Sequence, residues 1–309
     1  MTAVQAPVST NPVPKLFARQ RQLLQLLGAL GGASGKTDFQ KLLFLYCQES
    51  ASNTPYDFVP HKFGAFSFTS YADRAKLTER GLLADCDRWQ LTAAGREAIG
   101  QTSEPWLTAF VDQCTLRGDD LVADTYRRFP FFATRSEIAD RLLAGDEAAL
   151  VRIASAKRAW KGGTYLQTIG YEGHSLESYL NQLLRADVKV LCDVRRNPLS
   201  RKFGFSKKTL ASGCEGVGIR YEHLPELGIS SDQRQSLDTQ ADYDALFEEY
   251  ERTSLPKQGD ALTKIRGWVA SGECVALTCF EHLPHQCHRH CVADALESQF
   301  GKDFAATHL

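Results

Sequence analysis

The chain has 309 residues, 43% of them hydrophobic, with 36 Lys or Arg against 37 Asp or Glu and a formal net charge of −1 at pH 7. That length favours two folded domains, and that charge excludes a global basic signature for nucleic acid, so charge has to be read locally. A membrane span is excluded by the lack of any run of about 18 apolar residues, and nine scattered cysteines read as reduced thiols in a cytoplasmic protein.

The opening stretch "MTAVQAPVSTNPVPK" has no basic region followed by an apolar core, so no secretory signal is expected. Residues 1–14 read as a disordered, Pro-rich tail. "KLFARQRQLLQLLGAL" then places Leu23, Leu24, Leu26, Leu27 and Leu30 at helical spacing. The following "GGASGKT" is not a phosphate-binding loop: only three residues separate Gly31 from Gly35 where four are needed, Leu30 stands where the first glycine should be, and a helix rather than a strand precedes it. Thr37 and Gln40 instead fit a capping box that starts a second helix. Phe39, Leu42, Leu43 and Tyr46 form its buried stripe.

A third helix, "FTSYADRAKLTERGLL", leads to a short strand, "RWQLT", and a Gly-bearing helix. This succession resembles the wing and last helix of winged-helix modules found in bacterial antitoxin-like and regulatory proteins. The resemblance implies a winged-helix-like domain over residues 15–103. Residues 15–100 hold eleven Lys or Arg and eight Asp or Glu, a small positive excess. Lys62, Arg74, Lys76 and Arg80 are the candidates for phosphate contacts. The competing reading is a scaffold or dimerisation module with ordinary solvated charges.

Residues 104–163 read as a helical connector broken at Pro130, in which Arg127, Arg128 and Arg135 are able to line a groove. "KGG" at 161–163 marks the joint to an α/β domain over 164–309. There "TYLQTIGYEG" reads as a buried strand, "SLESYLNQLLRADV" as a helix capped by Ser175, "KVLCDVRRNP" and "CVALTCFE" as further strands, and "CHRHCVADALESQF" as the closing helix. This β-α-β order predicts a mainly parallel, layered sheet. Chemistry in such sheets gathers beyond the carboxyl ends of the strands, where polar clusters occur three times here: "GYEG", "DVRRNPLSRKFGFSK" and "CFEHLPHQCHR".

The segments "TIGYEGHSLESYL", "VLCDVRRNPLSRKFGFSKKTL", "GIRYEHLPELG" and "VALTCFEHLPHQCHR" together resemble the family known as domain of unknown function 488, over about residues 165–297. The family's function is poorly defined, so the resemblance implies a fold and a set of positions: Gly170, Tyr171, Glu172, Asp193, Arg195, Pro198, Ser200, Arg201, His223, Cys279, Glu281, Cys287, His288 and Arg289. His282, His285, His290 and Cys291 fall outside that pattern.

From Arg195 to Lys208 there are six basic residues and no carboxylate, with Phe203 and Phe205 around Gly204. Guanidinium forks beside aromatic faces suit a phosphate and a stacked base. Arg195 and Arg201 are the leading anion ligands, with Ser200, Arg289, Tyr171 and His223 as further substrate contacts. Residues 215–260 carry eleven acids against four bases, an acidic flank that would orient nucleic acid toward the basic mouth.

Three chemistries compete for "CFEHLPHQCHRHC". In one, Asp193, Glu281 and Glu172 act as general acid, base or electrostatic stabiliser. In another, Cys287 is a nucleophile whose thiol pKa is lowered by the closing helix and Arg289, with His288 as its base. The third is zinc held by Cys279, Cys287, His288 or Cys291, but the absence of a Cys-x-x-Cys pair argues against it. The sequence therefore predicts no metal ligand and no cofactor, zinc being the open alternative. Catalytic candidates are Asp193, Glu281, Cys287, His288 and Glu172. The expected function is a nucleic-acid- or nucleotide-processing enzyme, a hydrolase or lyase in DNA modification, repair or defence, with DNA or a nucleotide as partner and no membrane. The alternatives are a non-catalytic DNA-binding regulator sensing an anionic ligand and a thiol or sulfur-transfer enzyme using Cys287.

Overall fold

The computed structural model describes residues 15–50, 54–100, 105–157, 165–230, 233 and 237–309. The Pro-rich tail 1–14 and the joint at 161–163 lie outside the described residues. Helices α1 (Ala18–Ala29) and α2 (Lys36–Glu49) flank the two-residue strand β1 (Ala33–Ser34). A hairpin of β2 (Val59–His61) and β3 (Gly64–Phe66) precedes α3 (Phe68–Glu79), β4 (Trp89–Gln90), α4 (Ala93–Ile99) and α5 (Pro105–Gln113). Next come α6 (Gly118–Arg128), a 3₁₀ turn that begins at Pro130, α7 (Ala139–Leu142) and α8 (Glu147–Lys157). As the sequence predicts, the helical run breaks at Pro130, whose nitrogen has no hydrogen to donate.

These residues divide into two compact units, one reaching Tyr56 and including Ser70–Leu121, the other made of Asp57–Thr69 and Val122–Leu309. In the first, Leu23, Leu24, Leu26, Leu27, Phe39, Leu42, Leu43 and Trp89 are buried, with the Phe39 and Trp89 rings 4.5 Å apart. Antiparallel β1 and β4 pair, and a further bridge joins Leu83 to Leu91. Buried Asp73 on α3 accepts hydrogen bonds from Arg19, from Gln20 at 2.7 Å and from the Tyr56 hydroxyl at 3.0 Å. The capping box expected at Thr37 does not form. α2 starts two residues earlier, with extended Gly35 at its N-cap and no side-chain cap bond. Gln40 is thereby carried to the buried face, where its amide donates to Ser70 at 2.8 Å.

The second unit is built on a five-stranded parallel sheet. Its strands are β5 (Leu166–Gly170), β6 (Val190–Asp193), β7 (Arg220–His223), β8 (Val275–Cys279) and β9 (Thr307–His308), in the spatial order β7-β6-β8-β5-β9. Alternation along the strands sends successive side chains to opposite faces. On one face Leu166, Val190, Cys192, Val275, Leu277 and Cys279 pack with helices α11 (Gln240–Thr253), α12 (Gly259–Ala270) and α13 (Arg289–Phe300). On the other, Ile169, Leu191 and Ala276 pack with α9 (Leu176–Arg185) and α10 (Lys207–Gly216). Covering on both sides is why β5, β6 and β8, in which every residue is buried, read as largely apolar runs. Ser175 caps α9 as expected, accepting from the Ser178 amide at 3.0 Å.

The strand order fixes where a site can lie. From β6 the chain leaves through α10 toward β7, on one side. From its neighbour β8 it leaves through α13 toward β9, on the other. Adjacent strands whose connections diverge leave a crevice beyond their carboxyl ends, here past Asp193 and Cys279.

Candidate functional site at the carboxyl end of the parallel sheet

That crevice is a cavity of about 220 Å³ lined by Tyr171, Arg195, Arg196, Asn197, Leu199, Ile229, Cys279, Phe280 and Glu281. The loops after β5, β6 and β8 all contribute to it, so the polar clusters that the sequence singled out converge. Leu199 and Phe280 are exposed (75% and 42%).

Asp193 and Arg195 lie two residues apart at the end of β6, on one face of the extended chain. Arg195 donates through Nε and Nη2 to the two carboxylate oxygens, at 2.8 and 2.6 Å. Its Nη1 donates to the Tyr171 hydroxyl at 3.1 Å and to the Phe205 carbonyl at 2.9 Å. Tyr221 donates its hydroxyl to Asp193 at 2.6 Å. Burial opposes the charge on Arg195, but its bonds to Asp193 and Tyr171 outweigh that and raise its pKa. The fork sits 5.0 Å over the Tyr171 ring, which stacks on Phe205 at 4.3 Å. This cluster stiffens the floor of the cavity.

A second set of contacts holds the loop after β8. Fully buried Arg289 donates to the carbonyls of Glu281 and His282 and to the Thr168 hydroxyl. Glu172 accepts from the His282 amide at 2.9 Å, while its own amide donates to the Phe280 carbonyl. Gly170 leaves room for this loop: a Cβ there would lie 1.8 Å from the Glu281 carbonyl oxygen. Arg289 and Glu172 therefore hold the backbone of this loop, and of the two carboxylates Glu281 is the one that lines the cavity.

Cys279, Cys287 and His288 meet beneath that loop, their ligand atoms all within 4.8 Å of one another. The Cys279 thiol lies 3.5 Å from Glu281 Oε2 and 3.7 Å from His288 Nδ1. His288 Nε2 donates to the Val194 carbonyl at 3.0 Å. The expected lowering of the Cys287 pKa is corrected by the structure. α13 begins at Arg289, two residues further on, and burial pushes the Cys287 thiol well up. Glu251, His290 and Cys291 form a second such group, with Glu251 exposed.

Past Asp193, Arg201 is exposed, and Ser200 accepts from the Lys202 amide at 3.1 Å within a local turn. His223 ends β7. Its Nε2 donates to the Arg195 carbonyl and its Nδ1 accepts from Lys207, both at 2.9 Å. Arg135 lines a separate cavity of about 320 Å³ with Lys157, Asp187 and Lys189. Of the candidates for phosphate contact, exposed Lys62 pairs with Glu137 at 3.3 Å. Arg74 donates to the carbonyls of Cys86 and Arg88 and lies 5.3 Å over Trp89. Arg80 donates to the Lys15 carbonyl, and Lys76 is exposed on α3.

Arg196, Asn197, Leu199, Ile229 and Phe280 were not among the sequence candidates. The period of two supplied a signal for the first: it turns Arg195 back toward Asp193 and sends Arg196 elsewhere. Nothing local marks Ile229, which arrives from beyond β7. Residues 175–296 match the family model described as Domain of unknown function DUF488. No curated protein and no solved structure matches the chain.

Proposed function

Taking residues 175–296 as a DUF488 domain, we propose that it processes a nucleotide or nucleic acid at the crevice between β6 and β8, with Glu281 as the general acid or base. The observation that carries this reading is a single cavity combining Arg196 and Asn197, the exposed ring of Phe280 and the carboxylate of Glu281. Cation, aromatic face and carboxylate are the parts needed to hold a phosphate, stack a base and move a proton. The volume, about 220 Å³, falls below the several hundred Å³ usual for a drug-sized ligand. It suits one base, sugar or phosphate group, so the reaction is hydrolysis or lysis of a single such bond. Arg201, Lys207 and Lys208, all exposed, extend the basic mouth beyond it.

On this reading the N-terminal unit delivers DNA. The β1–β4 pairing and the bridge between Leu83 and Leu91 are what a small wing requires, and Lys76 is its exposed cation on α3. The test uses the full chain with single- and double-stranded oligonucleotides and mononucleotides. Turnover is expected, reduced at least 10²-fold in Glu281→Gln with little change in binding. Salt-sensitive binding without turnover would favour the regulator reading. Turnover unchanged in Glu281→Gln would overturn the assignment.

A further inference from the structure

We propose that Cys279, Cys287 and His288 form a metal centre for Zn²⁺ or a similar thiophilic divalent ion, with its fourth position open to the cavity beside Glu281.

The three ligand atoms lie within 4.8 Å of one another, close enough for small side-chain adjustments to place all three around one ion. The histidine is oriented for this role. A carbonyl only accepts, so the 3.0 Å contact with Val194 puts the proton on Nε2 and turns the Nδ1 lone pair toward the thiols. Metal-bound histidines are held in the same way by a second hydrogen bond to a backbone carbonyl. Soft sulfur and imidazole donors together select Zn²⁺ over Mg²⁺ or Ca²⁺.

Charge and burial agree. All three side chains are at most 2% exposed, and two thiolates would offset the charge of a divalent ion, leaving a neutral centre that such a site tolerates. Three protein ligands with one open position is the pattern of catalytic rather than structural zinc. Of the three, Cys279 also lines the cavity, and its sulfur lies 3.5 Å from the Glu281 carboxylate. A water on the ion would therefore face both the ligand space and a proton acceptor. The absence of paired Cys-x-x-Cys spacing is explained by topology: one ligand ends β8 and the other two precede α13.

The test is metal binding by the full-length protein and involves no nucleic acid, so it stands apart from the function proposed above. Purified protein is expected to carry about one equivalent of zinc. After chelation, Co²⁺ should restore one equivalent with a thiolate-to-cobalt charge-transfer band and tetrahedral visible absorption. Cys279→Ser, Cys287→Ser and His288→Asn should each weaken uptake at least tenfold, and Cys291→Ser should leave it unchanged. Should those variants fail to fold, X-ray absorption of the zinc-loaded unmodified protein decides the matter, with two sulfur and one nitrogen scatterer expected at about 2.3 and 2.0 Å. The proposal is overturned by substoichiometric metal, by a Cys279–Cys287 disulfide in the purified protein, or by binding that survives Cys279→Ser and is lost in Cys291→Ser, which would move the ion to Glu251, His290 and Cys291.

Discussion

Arg195 grips Asp193 with two parallel hydrogen bonds, 2.8 Å through Nε and 2.6 Å through Nη2, both side chains buried at the end of the same strand. The pair that looked like a phosphate ligand next to a catalytic acid is also the brace of the cavity floor. Removing one member of such a pair leaves a buried charge without its counter-ion. Arg195→Met is expected to destabilise the protein by about 3–5 kcal/mol, read from urea unfolding. Arg195→Lys keeps the charge but not the planar fork and should fall between. A loss below about 1 kcal/mol in Arg195→Met would show that the brace is not needed.

Glycines with different surroundings should respond oppositely. Gly170→Ala drives a methyl group into the Glu281 carbonyl, and overpacking of this kind costs about 1–3 kcal/mol. It should also displace Glu281 and weaken ligand binding in the cavity. Gly267 lies inside α12 with open space where its Cβ would be. Gly267→Ala is expected to stabilise by about 0.5–1 kcal/mol. Paired melting curves check both signs.

Lys41 is buried on α2, and desolvation lowers its pKa from 10.5 to about 7. Below pH 7 it is protonated in both folded and unfolded states, and the buried charge opposes folding in full. Between pH 7 and 10.5 the unfolded chain binds more protons at this residue, so its contribution to stability improves as pH rises. The difference in unfolding free energy between Lys41→Met and the unmodified protein should favour the variant most below pH 7. It should shrink steadily toward pH 10. A difference independent of pH would show that Lys41 is not held neutral.

Thiol reactivity should follow exposure and burial. Cys86 is exposed, whereas Cys279 and Cys287 are buried and the Cys287 thiol is pushed up. With iodoacetamide at pH 7 under native conditions, Cys86 should label first and Cys287 at least tenfold more slowly, since only the thiolate attacks. Mass spectrometry of the peptides reads this directly. Equal rates would restore the nucleophile reading of Cys287.

The parallel sheet was legible because β5, β6 and β8 are apolar on both faces, and the site's address followed from the polar residues at their ends. Ser175 was legible as a cap because a serine directly precedes an amphipathic run. Thr37 misled because Thr37 and Gln40 fit a capping box locally, two residues past the N-cap that forms at Gly35, and the burial of Gln40 goes with that phase. Cys279, Cys287 and His288 were legible as part of a possible zinc set, but the want of a Cys-x-x-Cys pair argued against it. Metal-site spacing rules describe ligands on one hairpin or helix, and these come from a strand end and a turn. Likewise, Arg195 advertised its charge in the sequence, but only the fold shows where its five donors point.

The place of β8 has a consequence for biosynthesis. It is the middle strand of the sheet, flanked by β6 and β5, yet it is the fourth of the five to leave the ribosome. Until residue 279 is out, the nascent chain holds the β6–β7 pair and β5 alone, with the edges that β8 will join unpaired, and such edges recruit foreign strands. Truncated or stalled products ending before β8 should therefore be aggregation-prone clients of chaperones, and refolding of the intact chain should be limited by insertion of that strand.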